Sequence, residues 1–146
     1  MASAKNFLKD YEKDLIVATI RKAELETTGE IRVHIDDKCD GEVFDRAVKL
    51  FNHLKIDRTR FKNGVLIYIA TEDRKFAVIG DEAIHEKVGN NFWNSIAQKL
   101  HNDFLETNYC KGIVESIERI SEILNKYFPQ TDNLKHNELD DEISFE

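Results

Sequence analysis

The sequence predicts an α/β fold built on a small mixed sheet, and three observations predict it. Residues 65–70 form an unbroken apolar run, rich in β-branched and aromatic side chains, directly after the breaker Asn63-Gly64. That is the pattern of a strand buried on both faces. Residues 31–35 alternate, with Ile31, Val33 and Ile35 on one side and Arg32 and His34 on the other. A helical-period segment separates these two stretches, so they form a βαβ unit with parallel strands and a right-handed crossover. Finally, residues 76–79 resume as a strand after the charged turn Thr71-Glu72-Asp73-Arg74, which gives a β-hairpin.

The 146 residues suit one domain, expected over residues 1–128, with a tail over residues 129–146. The net charge of −7 is uneven: the stretch from Pro129 carries −5 and the body −2. A nearly balanced body argues neither for nor against an anionic partner; nucleic-acid binding, which is not expected, would need a basic face, and only residues 55–62 are locally basic. No apolar leader and no membrane-length run is visible, and two cysteines are too few for a disulfide framework. A monomer in a reducing, cytoplasmic compartment is the expectation.

Each element has its own justification. Residues 7–26 read as a helix whose apolar stripe is Phe7, Leu8, Tyr11, Leu15, Ala18 and Leu25, widened by Ile16, Ile20 and Ala23. Thr27-Thr28-Gly29 ends it, and the alternating strand follows with one face less buried. Residues 43–54 form the crossover helix, with Val43, Phe44, Ala47, Val48, Phe51 and Leu54 at helical spacing. Past the hairpin, residues 81–88 are a short helical turn, broken at Gly89-Asn90. Residues 92–105 are a helix with Trp93, Ile96, Ala97, Leu100 and Phe104 inward. Residues 106–110 are a break, and Ile113, Val114, Ile117, Ile120, Leu124 and Tyr127 mark a last helix ending at Pro129. The acidic, weakly patterned remainder reads as disordered.

This topology gathers acids. Parallel strands end on one edge of the sheet, which sets Asp36, Asp37 and Asp40 beside Glu72 and Asp73; the helix over residues 92–105 returns Asp103, Glu106 and Asn108 to the same edge. Two like charges about 4 Å apart repel by about 1 kcal/mol in water and about 4 kcal/mol near a protein surface. A divalent cation offsets that, and oxygen ligands without His or Cys select calcium or magnesium. The metal expectation is therefore Asp36, Asp37, Asp40, Glu72 and Asp73, with Arg74, Asp103, Glu106 and Asn108 as further metal or phosphate contacts. The opposing reading has these acids pointing apart into solvent.

Other motifs fail. An EF-hand loop from Asp36 would have Lys38 at its third position and Ala47 at its twelfth. Cys39 and Arg46 are one residue too far apart for Cys-x5-Arg, and no Gly-rich phosphate loop exists. Cys39 and Cys110 read as free thiols. His53, His85, His101 and His136 read as surface residues, and His34 lies on the polar side of the first strand.

Thr28-Gly29-Glu30-Ile31, Asn63-Gly64-Val65-Leu66-Ile67, Glu72-Asp73-Arg74-Lys75 and Tyr109-x-x-Gly112-Ile113 together resemble the TPM domain. The resemblance covers roughly residues 24–128. It implies a three-layer α/β/α sandwich around a mixed sheet, with divalent-metal binding, calcium especially, in a cleft at the sheet edge. It also implies kinship with chloroplast acid phosphatases. By position, Asp73 and Arg74 match the family's turn, and Asp36 sits where an acid often ends the first strand. Two departures are Gly80-Asp81-Glu82 in place of a Gly-rich stretch, and Asn108 in place of an aspartate. The functional expectation is a soluble metal-binding module with an unidentified protein partner. The alternative is a metal-dependent acid phosphatase acting on phosphate esters, for which the sequence supplies no dedicated nucleophile.

Overall fold

Two parallel strands, β1 (Glu30–Asp36) and β2 (Gly64–Ala70), run through the middle of the molecule in continuous register from Glu30 opposite Gly64 to Asp36 opposite Ala70. The computed structural model describes residues 3–130 and 143–145. β3 (Lys75–Gly80) folds back antiparallel on β2, and β4 (Ser144–Phe145) pairs parallel with β1, giving the order β3-β2-β1-β4. The sheet is mixed, as the βαβ unit and the hairpin require.

Helices cover both faces. The side chains of Ile31, Val33, Ile35, Val65, Ile67, Ile69 and Val78 point to one face and join the main core. There they meet α1 (Asp10–Leu25), α3 (Glu82–Leu105) and α4 (Tyr109–Tyr127). Leu66, Tyr68, Ala70 and Ala77 point to the other face, where Ala47, Leu50 and Phe51 of α2 (Val43–His53) cover them. This is a three-layer α/β/α arrangement, and its period-2 division of side chains follows from the pleat.

Several local expectations are corrected. The first helix begins at Asp10, not at residue 7, because the Glu12 carboxylate reaches back to accept the Lys9 backbone N–H at 2.9 Å. Phe7 and Leu8 are buried but precede it. Its inward stripe is Ile16, Ile20 and Ala23, whereas Tyr11, Leu15 and Leu25 are 65%, 49% and 76% exposed. The two stripes lie about 150° apart on the helix. A fully buried Ile contributes about 1.5–3 kcal/mol, so the stripe with two of them faces the core.

β1 is as buried as β2 on nearly every residue; its polar side is covered rather than wet, with His34 and Asp36 only 1% and 4% exposed. α4 starts at Tyr109, so the break is three residues, with Thr107 in the left-handed region at φ 61°. The expected break at Gly89 is present: α3 bends there at φ 76°, ψ 173°. A 3-10 turn (Ile56–Arg58) lies between α2 and β2. The tail reading falls mostly on residues outside those described, but Ser144–Phe145 forms a strand. None of the described helices is long and apolar enough to cross a membrane.

Candidate functional site

The strand ends meet as the topology requires. β1 and β2 continue their ladder past Asp36: Thr71 N–H donates to the Asp36 carbonyl at 3.0 Å, and Glu72 N–H to the Asp37 carbonyl at 2.8 Å. The loop after β1 is then tied to the hairpin turn by side chains. Cys39 N–H donates to Asp73 Oδ2 at 2.8 Å, and Lys75 Nζ donates to the carbonyls of Cys39 and Gly41, each at 3.0 Å. The chain's start is fixed to the same loop, with Ala4 N–H donating to Asp37 Oδ1 at 2.5 Å. Asp36, Asp37, Asp40, Glu72 and Asp73 are thereby held in two adjoining loops. Asp40, Glu72 and Asp73 are exposed, and Asp37 is half-buried. Asp36, Asp37, Lys38, Cys39, Asp40 and Arg46 line a cleft of about 370 Å³.

Asp36 stands apart from its neighbours because both its oxygens are occupied. Oδ2 accepts from Tyr68 OH at 2.5 Å and from Arg46 Nε at 3.0 Å; Oδ1 accepts from His34 Nε2–H at 2.8 Å and from Arg46 Nη2 at 3.4 Å. Burial works to raise its pKa, but the Arg46, Tyr68 and His34 bonds outweigh it and hold the carboxyl below its ordinary value. Burial and the bond to Asp36 push the Tyr68 phenol up. His34 lies opposite Tyr68 in the β1–β2 register, stacks on it at 6.1 Å between ring centroids, and meets the Ser144 hydroxyl of β4 through Nδ1 at 2.7 Å. Asp36 therefore anchors the cleft floor.

The end of α3, which carries the other expected contacts, packs beside the start of β3, with Phe104 and Phe76 at 5.0 Å between ring centroids. Asp103 accepts from Lys99 Nζ at 2.7 Å and lies against Gly112 of α4, where an added Cβ would come within 2.8 Å of its own Cβ. Its carbonyl accepts the Asn108 N–H at 2.8 Å, which closes the turn between α3 and α4. Glu106 is exposed. Arg74, at φ 52°, lies beside Phe76, Ala97 and His101 on the α3 side. Cys39 is buried and Cys110 half-buried, both as free thiols.

The donor chemistry at the rim fits a hard cation only in part. Asp37, Asp40, Glu72 and Asp73 are oxygen donors held in adjoining loops, but among the described residues no three His, Cys, Asp or Glu side chains are drawn together as a cage. Sequence reasoning missed Arg46 and Tyr68. The signal was available: Asp36 follows His34 by two residues on one strand face, and parallel pairing sets Tyr68 next to both.

The motifs outside the hairpin turn divide between packing and turns. Thr27 Oγ1 donates to the Phe128 carbonyl at 2.5 Å, and Asn63 Nδ2 donates to Thr28 Oγ1 at 3.0 Å, joining the starts of β1 and β2 to the end of α4.

The chain matches the family model described as TPM domain over residues 2–123. It is similar to the NMR structure of BA42 protein from the psychrophilic bacterium Bizionia argentinensis, at 40% identity and a TM-score of 0.88, with all of both chains covered. The fold is also that of the N-terminal domain of a protein from P. gingivalis, at 15% identity and a TM-score of 0.71, covering 90% of this chain and 83% of that one. The N-terminal domain of cg2496 protein from Corynebacterium glutamicum matches at 11% identity and a TM-score of 0.65, covering 91% and 84%. No curated protein is matched.

Proposed function

The chain belongs to the TPM domain family, and from that premise we propose that it is a binding module whose strand-end loops take a divalent cation. The observation that carries this reading is the tie between the loop after β1 and the hairpin turn, through Cys39 N–H to Asp73 and Lys75 to two carbonyls. It keeps Asp37, Asp40, Glu72 and Asp73 in adjoining loops although they repel one another. Asp36 positions the loop and is not a ligand, because its oxygens are taken. The exposed acids supply few direct ligands, so the ion keeps several waters, which suits magnesium or a weakly held calcium.

The phosphatase alternative finds less support in the placement of side chains. Arg74 lies on the α3 side rather than in the acid-lined cleft, and the cleft's own guanidinium, Arg46, is committed to Asp36. His34 is buried against Asp36 and Ser144, so it offers no accessible base.

Amide NMR of the full chain, titrated with calcium and then magnesium, tests the proposal. Saturable shifts clustered at residues 37–41 and 71–74, weakened in Asp40→Asn and Asp73→Asn, support it. Shifts that are absent, or that survive both substitutions, sink it. Metal-dependent hydrolysis of p-nitrophenyl phosphate that disappears in Asp73→Asn would instead favour the enzyme.

A further inference from the structure

The two edges of the sheet are finished differently. The β1 edge is covered by Ser144–Phe145 of the chain itself. Among the described residues the β3 edge has no strand on it. Asp81 N–H donates to the Gly64 carbonyl, which fixes the alternation of the antiparallel ladder. Ile79 and Ala77 then exchange bonds with β2, while Phe76, Val78 and Gly80 turn their backbone N–H and C=O groups outward. Among the described residues none of these three has a hydrogen bond to its outward groups. β3 carries no proline and no bulge, the usual protections of an open edge, and its one charged side chain, Lys75 at its start, is turned to the Cys39 and Gly41 carbonyls.

This edge is also walled. It floors a groove of about 380 Å³ between α2, which contributes Phe44, Val48 and Phe51, and α3, which contributes Trp93 and Ala97. Phe44 is 59% exposed and Val48 37%, so apolar surface already stands in the wall. Gly80 keeps the far end narrow, since a Cβ there would come within 2.3 Å of the Trp93 ring.

The ends of the groove carry opposite charge. At the end of β3, Asp81 lines it; Oδ1 accepts the Glu82 N–H at 2.7 Å, and Oδ2 is buried with no hydrogen-bond partner. At the start of β3, exposed Arg74 shares Phe76, Asn94 and Ala97 with the groove and makes no ion pair with a described residue.

We propose that this groove binds an extended peptide segment of another protein, which adds a fifth strand to the sheet along β3. The ladder supplies main-chain bonds, and alternate apolar side chains of the peptide lie against Phe44 and Val48 on one side and Ala97 on the other. Charge sets its direction. A basic residue of the peptide faces Asp81 and an acidic one faces Arg74, so a peptide whose basic residue is N-terminal runs antiparallel to β3 and one of the reverse order runs parallel to it. Six residues of edge span about 20 Å, enough for a segment of about six or seven residues. A second copy of the chain is the poorer occupant. Pairing β3 with β3 would bring the walls of α2 and α3 from both copies against each other across a strand spacing of about 4.8 Å.

The test is selection of a phage-displayed random heptapeptide library on the full chain, with the selected peptide synthesised and titrated into ¹⁵N-labelled protein. Expected are peptides with alternating apolar residues, saturable shifts, and slowed hydrogen exchange at the Phe76, Val78 and Gly80 amides. N-methylation at alternate peptide residues, which removes only the ladder donors, should weaken binding about ten-fold or more. Phe44→Glu, at an exposed site that does not endanger folding, should weaken it too. The proposal falls if no peptide is enriched over the Phe44→Glu chain, or if N-methylation is without effect. It falls equally if the three amides become protected with rising concentration of the chain alone, which would make the occupant a second copy.

Discussion

Tyr68 carries a consequence out of proportion to one hydroxyl. Its OH donates to Asp36, a carboxylate only 4% exposed on the floor of the cleft. Tyr68→Phe should cost about 1–3 kcal/mol, read from the urea midpoint, because it leaves a buried acceptor short of a donor. The pH dependence has a definite sign. Asp36 has its folded pKa below the unfolded value, so its contribution is complete above the ordinary carboxylate range and is lost as pH falls through the folded pKa. Removing the Tyr68 or Arg46 bond lifts that folded pKa, so acid unfolding followed by circular dichroism should begin at higher pH in Tyr68→Phe and Arg46→Met. Asp81 runs the other way. Burial raises its pKa, so the fold favours the protonated form, and its contribution falls as pH rises from the unfolded towards the folded value. Asp81→Asn keeps the cap on Glu82 N–H, should be more stable than the parent at pH 7, and should lose that advantage near pH 3.

Among the elements, α3 is the one whose shape depends on a single residue. Gly89 sits at φ 76°, ψ 173°, a region that side chains hardly enter, and a Cβ there would meet nothing within 4 Å. Gly89→Ala should therefore cost about 1–3 kcal/mol through the backbone alone, with the loss visible in thermal midpoint and no repacking of Trp93. That bend was legible, because Gly-Asn interrupts an otherwise helical pattern. The hairpin was legible for a similar reason: Asn63-Gly64 and Thr71 to Arg74 bracket an apolar run too short for a helix. The inward face of α1 was not. Tyr11-Leu15-Ala18 and Ile16-Ile20-Ala23 are both helical stripes, and only the packing of β1 and α4 chooses between them. β4 was not legible either, because Ile143 and Phe145 stand in acidic surroundings with too few residues to show a period.

At the scale of the molecule, the sequence implied that the loops after β1 and β2 adjoin, because parallel strands end together. It did not reveal that the acids have different work. Asp36 belongs to a buried network that reaches across the sheet from Arg46 of α2 to Ser144 of β4, and that assignment needs the register of three strands. Asp40 and Glu72 stay in solvent. Replacing both by Asn and Gln should leave the urea midpoint within about 0.5 kcal/mol of the parent, as expected for surface positions, whereas Asp36→Asn should lower it measurably.

The two kinds of strand pairing also imply an order of events. β2 and β3 are joined across a four-residue turn, while β1 and β4 meet over a separation of 110 residues, His34 with Ser144, through two residue pairs among the described residues. Closing so long a loop carries an entropy cost that grows with the logarithm of its length, and two pairs return little against it. β4 should thus settle on a sheet that has already formed, and leave it without unfolding the rest. Native-state hydrogen exchange should show the amides of Ser144 and Phe145 opening well below the global unfolding free energy, while Ile67 and Ile69 in β2 exchange only when the whole domain comes apart.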